Sequence, residues 1–250
     1  MVMNVWRIKM GTYKIIFDTF LFAMFPYVTI FTFFLVTIQR YRSQAFTYSS
    51  LSSQFLENRQ HFWGLVPFHY GIISVLAAHF IWFLLPETVL WWNSVPARLY
   101  IMEVAVFIFG LLTLIGLINI IIRRKTEKKI KIVTSQADWW VLGLLSIQVI
   151  TGIYTAFFCR WGSSWFAASL VPYLKSIIFL NPDILYVSPL PWAIKLHIIS
   201  AYSIILLFPF TRLVHVLVVP NPYLWRKNQV VRWNWNRKTI RTPKISKNKV

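Results

Sequence analysis

Five stretches of the chain run almost free of charge, and the polar and basic residues gather in the segments between them. The apolar runs cover residues 15–38, 68–85, 99–122, 139–158 and 192–219. A helix rises about 1.5 Å per residue, so about 20 apolar residues cross the hydrocarbon core of a bilayer. Each run is long enough to cross. The joining segments span residues 40–67, 87–98, 123–138 and 159–191, with neither an internal repeat nor low-complexity sequence. The pattern predicts an all-α membrane protein, a bundle of five transmembrane helices.

Composition agrees. With 57% hydrophobic, 18% aromatic and 13% charged residues among 250, there is too little polar surface to coat a soluble globule. The lone cysteine, Cys159, excludes an internal disulfide, a cysteine-ligated cluster and the Cys-x-x-Cys-His attachment of a covalent haem. A net charge of +19 could suggest nucleic acid, but the basic residues flank the apolar runs as topology signals do. Segments 40–67, 123–138 and the tail after residue 225 hold eighteen Lys and Arg, with Arg212 beside them, against seven on the other side. This asymmetry predicts the N-terminus outside and the C-terminus in the cytoplasm, and an odd number of spans agrees with termini on opposite sides. Arg7 and Lys9 before the first run resemble a signal peptide, yet no small-residue cleavage site follows, so the run reads as a mature helix.

Chemistry-bearing residues are few. Four of the five histidines fall inside apolar runs: His69 and His79 in the second, His197 and His215 in the fifth. An ionisable side chain at membrane depth needs a strong partner, and imidazole is a common axial ligand of haem iron. Ten residues place His69 and His79 about 15 Å apart along a helix, and eighteen place His197 and His215 about 27 Å apart on one face. Antiparallel alignment pairs His69 with His215 near the cytoplasm and His79 with His197 near the outside. Two such pairs suit two stacked, non-covalent b-type haems. The competing readings are interhelical hydrogen bonding or a proton path through a haem-free transporter. Pro209 is expected to kink the fifth helix.

Arg212, one turn from His215, reads either as a haem-propionate partner or as a snorkelling cation. Lys195 reads as a snorkelling cation and His61 as a surface residue. The outer segment 162–190 carries Trp165, Phe166, Tyr173, Phe179 and Tyr186, either as an interfacial aromatic belt or as a lid over a lipid-soluble substrate.

The fifth run, Leu196-His197-Ile198 through Leu207-Phe208-Pro209-Phe210-Thr211-Arg212-Leu213-Val214-His215, resembles the gamma subunit of membrane-bound respiratory nitrate reductase. Phe25-Pro26-Tyr27, Ser52-Ser53-Gln54-Phe55-Leu56-Glu57, Phe68-His69, Ala78-His79-Phe80 and the stretch Val219-Pro220 to Arg232 are similar to that family too. The resemblance implies a five-helix dihaem cytochrome b in a prokaryotic cytoplasmic membrane. It further implies quinol oxidation near the outer haem, and electron delivery to a cytoplasmic iron–sulfur beta subunit and molybdenum-cofactor alpha subunit. By carry-over, His69 and His215 would ligate the inner haem, and His79 and His197 the outer one. The family pattern has a lysine at the outer start of the third helix, which contacts quinol. Here Ser94-Val95-Pro96-Ala97-Arg98-Leu99 has none, so Arg98 stands either as its substitute or as an interface anchor. That departure leaves open a nitrite-oxidising complex with reversed electron flow, or a sulfur-compound complex with another partner.

Residues 1–225 thus read as the membrane domain. Residues 226–250 read as a basic cytoplasmic tail that binds anionic lipid or docks a partner, with Trp225, Trp233 and Trp235 as anchors.

Overall fold

The computed structural model describes residues 15–44 and 61–218, and these contain helices and connecting turns without a strand. The basic tail at 226–250, Trp225, the N-terminal Arg7 and Lys9, and the side chain of His61 lie outside the described residues. Five helices are long and apolar enough to cross a membrane. They are α1 (Ile15–Ser43), α2 (His61–Leu84), α4 (Pro96–Thr126), α6 (Gln136–Phe158) and the span Trp192–Phe210, whose α-helical part is α9 (Trp192–Leu207). Shorter helices join them: α3 (Pro86–Asn93), α5 (Lys128–Ile132), α7 (Gly162–Trp165) and α8 (Val171–Ile178). Phe31, Ile73, Ile101 and Trp140 are each more than half exposed on the spans. An apolar exterior of this kind is what lipid covers.

Prolines shape the spans, and side chains from neighbouring helices take up the carbonyls they free. A proline inside a helix removes the N–H that would bond the carbonyl four residues earlier. Pro26 follows a π-turn at Phe20–Met24, and the Phe22 carbonyl accepts the Tyr173 hydroxyl at 2.7 Å. Pro67 interrupts α2, and the Trp63 carbonyl accepts Asn119 Nδ2 at 3.3 Å. Unsatisfied backbone groups are costly where water is absent, so these bonds also fasten helix to helix.

The expectation of one helix from 192 to 219 is corrected here. The α-helix ends at Leu207. A 3-10 turn at Phe208–Phe210 follows, Thr211 is extended, and a second 3-10 turn runs over Arg212–Val218. Pro209 is the physical cause, and it does more than kink. Arg40 Nη1 donates to the Pro209 carbonyl at 2.6 Å and to the Thr211 carbonyl at 3.3 Å, steadying the break. His197 and His215 therefore do not share a face of one continuous helix.

Close contact between α2 and α4 depends on two glycines. A Cβ on Gly116 would lie 2.7 Å from Phe68 Cα, and one on Gly71 would lie 2.7 Å from the Phe109 carbonyl oxygen. Small residues let membrane helices approach backbone to backbone, and here the histidine-bearing helix depends on it. Gly116→Ala is expected to destabilise the bundle by about 1–3 kcal/mol through overpacking. Thermal melting of the detergent-solubilised protein would check this, and an unchanged midpoint would contradict it.

The aromatic segment 162–190 is neither a simple belt nor a detached lid. Phe166 and Tyr173 are buried in the main core cluster with Phe22, Trp82 and Tyr202, while Phe179 and Tyr186 stay exposed as a belt would have them. Burial, together with the Tyr202 phenol beside it, raises the Tyr173 hydroxyl above its ordinary pKa, keeping it a neutral donor.

Candidate functional site

His69 lies on α2 and His215 on the 3-10 turn beyond the Pro209 break. Their ring centres are 6.3 Å apart with planes inclined at 70°. His69 Nδ1 is 2.8 Å from the Leu65 carbonyl, and His215 Nδ1 is 2.7 Å from the Arg212 carbonyl. A carbonyl only accepts, so Nδ1 carries the proton in each ring and Nε2 keeps its lone pair. Such bonds orient a ligating imidazole and raise its basicity.

His79 has the same arrangement, with Nδ1 2.8 Å from the Val75 carbonyl. Its ring packs against Trp82 at 5.2 Å and edge-on to Phe166 at 5.3 Å. His197 differs, because its partners are side chains of α6. Thr151 Oγ1 donates to the Ile147 carbonyl at 2.7 Å and so accepts from His197 Nδ1 at 3.0 Å. Gln148 Nε2 donates to His197 Nε2 at 3.0 Å, and Gln148 Oε1 accepts the Ser200 hydroxyl. Gly152 makes room for the ring: a Cβ there would sit 3.0 Å from His197 Cε1. The structure thus brings the His69 and His215 rings together edge-on, and seats His79 against Trp82 and Phe166 and His197 against Gln148 and Thr151.

The flanking cations have protein partners. Lys195 Nζ is 2.7 Å from Asp18 Oδ2, both side chains being largely buried, and Ser188 Oγ donates to the same oxygen at 2.9 Å. Snorkelling is therefore corrected for Lys195: a charge enclosed by protein needs a counter-charge. Arg212 Nε pairs with Asp138 Oδ1 at 3.1 Å, and Nη2 donates to the Val133 carbonyl at 2.6 Å. Arg98 lies in the first turn of α4, its guanidinium 5.5 Å from the Trp91 ring and 5.2 Å from the Trp92 ring, a cation–π arrangement.

Sequence reasoning passed over Asp18, Asp138, Gln148 and Thr151. A signal existed for three of them. Asp18 is a carboxylate inside the first apolar run, and Gln148 and Thr151 are polar residues three apart in the fourth, the spacing of one helix face.

Five membrane-length apolar spans, with histidines whose Nδ1 is bonded to a main-chain carbonyl or, for His197, to a side chain of a neighbouring helix, define a polytopic membrane protein. Among the described residues, no group of three or more His, Cys, Asp or Glu is placed to hold a metal ion. The chain matches the family model for the nitrate reductase gamma subunit over residues 18–234. It is 31% identical over 219 residues to the respiratory nitrate reductase 2 gamma chain of Escherichia coli (strain K12), covering 86% of this chain and 96% of that protein. It is 30% identical to the nitrate reductase gamma chain of Bacillus subtilis (strain 168), covering 85% and 96%. The nitrate reductase-like protein NarX of Mycobacterium tuberculosis is 27% identical over 83% of this chain, which spans 32% of that protein. The chain belongs to the nitrate reductase gamma subunit family. It is accordingly a multi-pass inner-membrane subunit of a nitrate reductase complex, an oxidoreductase of electron transport.

Proposed function

We propose that the chain is the b-type cytochrome subunit of a respiratory nitrate reductase, holding two haems and taking electrons from quinol at the outer membrane face. Its cytoplasmic partners would be an iron–sulfur beta subunit and a molybdenum-cofactor alpha subunit, which the chain also anchors. His69 and His215 would hold the inner haem, and His79 and His197 the outer one. When bound, haem supplies one-electron redox centres whose potential follows the axial ligands and their hydrogen bonds.

The observation that carries this reading is the close approach of the His69 and His215 rings. An imidazole nitrogen binds a first-row metal at about 2 Å, so rings on opposite sides of one iron have centres roughly 6 Å apart. The ring centres of this pair are 6.3 Å apart. Two imidazoles per site also match what a porphyrin leaves open, because the macrocycle supplies the other donors. At the outer site, Gln148 must release His197 Nε2 for that nitrogen to bind iron. The Thr151 bond to Nδ1 can persist.

The sidedness rests on the Lys and Arg asymmetry, which sets the N-terminus outside and the basic tail towards the cytoplasmic partners. Arg98 is our candidate donor to a quinol oxygen, held among indoles that suit a flat, lipid-soluble ring. Residues 226–250 would then form the docking tail.

The test is anaerobic addition of a quinol to the purified three-subunit complex while b-type absorption bands are followed. Reduction of the bands, reoxidised by nitrate, is the expected result. Arg98→Ala is expected to raise the KM for quinol while leaving haem content unchanged. A colourless preparation would favour a haem-free transporter. Bands that no quinol reduces would favour a complex running electrons in the opposite direction.

A further inference from the structure

Asp138 is a buried carboxylate, 6% exposed, at the N-terminus of α6. Its surroundings tie three chain segments together. Ser135 N–H donates to Oδ2 at 2.9 Å, and Asp138 N–H returns a bond to Ser135 Oγ at 3.2 Å, which closes the capping box of α6. Arg124, in the last turns of α4, reaches Oδ2 at 3.4 Å. Arg212, on the turn that carries His215, reaches Oδ1 at 3.1 Å. A capping box alone needs neither arginine, so the ion pairs call for their own explanation.

That explanation lies in what Arg212 does with its main chain. Its carbonyl accepts His215 Nδ1–H at 2.7 Å. The carbonyl belongs to a 3-10 turn just past the Pro209 break, where the regular bonding of α9 has ended. Poor 3-10 geometry cannot hold that carbonyl by itself. The Arg212 side chain is held at two points, Asp138 Oδ1 and the Val133 carbonyl. Fixing the side chain fixes the residue, and with it the acceptor that orients the imidazole.

We infer that Asp138 is a positioning residue for His215, acting through Arg212, so that the loop between α4 and α6 tunes the inner iron site; this rests on the reading of His215 as an inner-haem ligand. The anchored carbonyl keeps the His215 ring in one orientation, and a steadily held imidazole donor would favour ferric over ferrous iron. Arg212 therefore gains a positioning task beside the roles considered from sequence.

The test is redox titration and electron paramagnetic resonance of the purified complex, following the two haems separately. Asp138→Asn keeps the volume and an oxygen for the Ser135 N–H but removes the charge that holds Arg212. Both haems are expected to remain, with the inner one alone shifted. A tenfold loss of ferric preference, at the lower end of outer-shell effects, appears as an upward move of about 59 mV for a one-electron couple. The inner ferric signal should move with it, and Asp138→Glu should bring both part-way back. Ser135→Ala opens the capping box yet leaves the ion pairs, so it should not move the potential. If Asp138→Asn does not accumulate, Arg212→Lys is read instead, and a shift confined to the inner haem is again expected. Unchanged inner potential and signal with both haems present would overturn the inference and leave the haem reading standing. So would an equal shift in Ser135→Ala. Absence of b-type bands from the unmutated complex would mark failure of the haem reading itself.

Discussion

Replacing His215 by alanine is expected to halve the haem b content of the purified complex, and replacing His69 is expected to do the same. The two ring centres lie 6.3 Å apart, so on the proposed reading one iron is shared and loss of either imidazole opens that site. His79→Ala and His197→Ala are expected to remove the other haem. The combinations discriminate further. His69→Ala with His215→Ala should cost no more haem than either alone, whereas His79→Ala with His215→Ala should leave none. Quinol-to-nitrate turnover should fall at least about 10–100-fold in each single variant, since the electron path is broken at one end. Haem per protein, measured as the pyridine complex, is the check. Full haem content in both the His69 and His215 variants would end the bis-imidazole assignment of the inner site.

The second large effect is expected from the Asp18–Lys195 pair. Lys195 is two residues before His197 on α9, and Asp18 is on α1, so the ion pair and the Ser188 bond lock the first span against the fifth. Both side chains are largely buried, at 5% and 14% exposure. Removing one partner leaves an uncompensated charge in protein, at about 3–5 kcal/mol. Asp18→Asn and Lys195→Met should therefore each lower the melting midpoint of the solubilised complex markedly. The double change Asp18→Leu with Lys195→Met should recover most of the loss, because two apolar side chains leave nothing unpaired. If Asp18→Asn melts like the unaltered protein, the pair contributes nothing to holding the spans together. A selective loss of outer haem in Lys195→Met, with no change in melting, would assign Lys195 to the haem site instead.

Some of this was plain in the one-dimensional pattern. Runs of apolar residues near bilayer length can satisfy their backbone groups only as helices, so the number and type of the spans followed from composition alone. Membrane-depth histidines stand out because charge and imidazole are rare there. The candidate ligands His69, His79, His197 and His215 were therefore visible before any fold. Their surroundings were not. Thr151, Gln148 and Gly152 reach His197 from a different helix, and nothing in linear order links residue 148 to residue 197. The same holds for Asp18 with Lys195 and for Asp138 with Arg212.

The fifth span shows where local reasoning stops. Pro209 is legible as a kink, but how far the backbone turns depends on which groups receive the freed carbonyls. Arg40 from the first span supplies that answer. Helical periodicity alone set His197 and His215 on one face, and the break at Pro209, steadied by Arg40, takes them off it.

What the sequence by itself determined is the class of molecule: five membrane-length helices, a basic flank and a small set of imidazoles at depth. Those follow from the cost of placing polar groups in hydrocarbon, a cost paid residue by residue. What only the tertiary structure decided is which imidazole faces which, and what steadies each ring. Such contacts join residues far apart in the chain, and helix packing across prolines and glycines brings them within bonding distance.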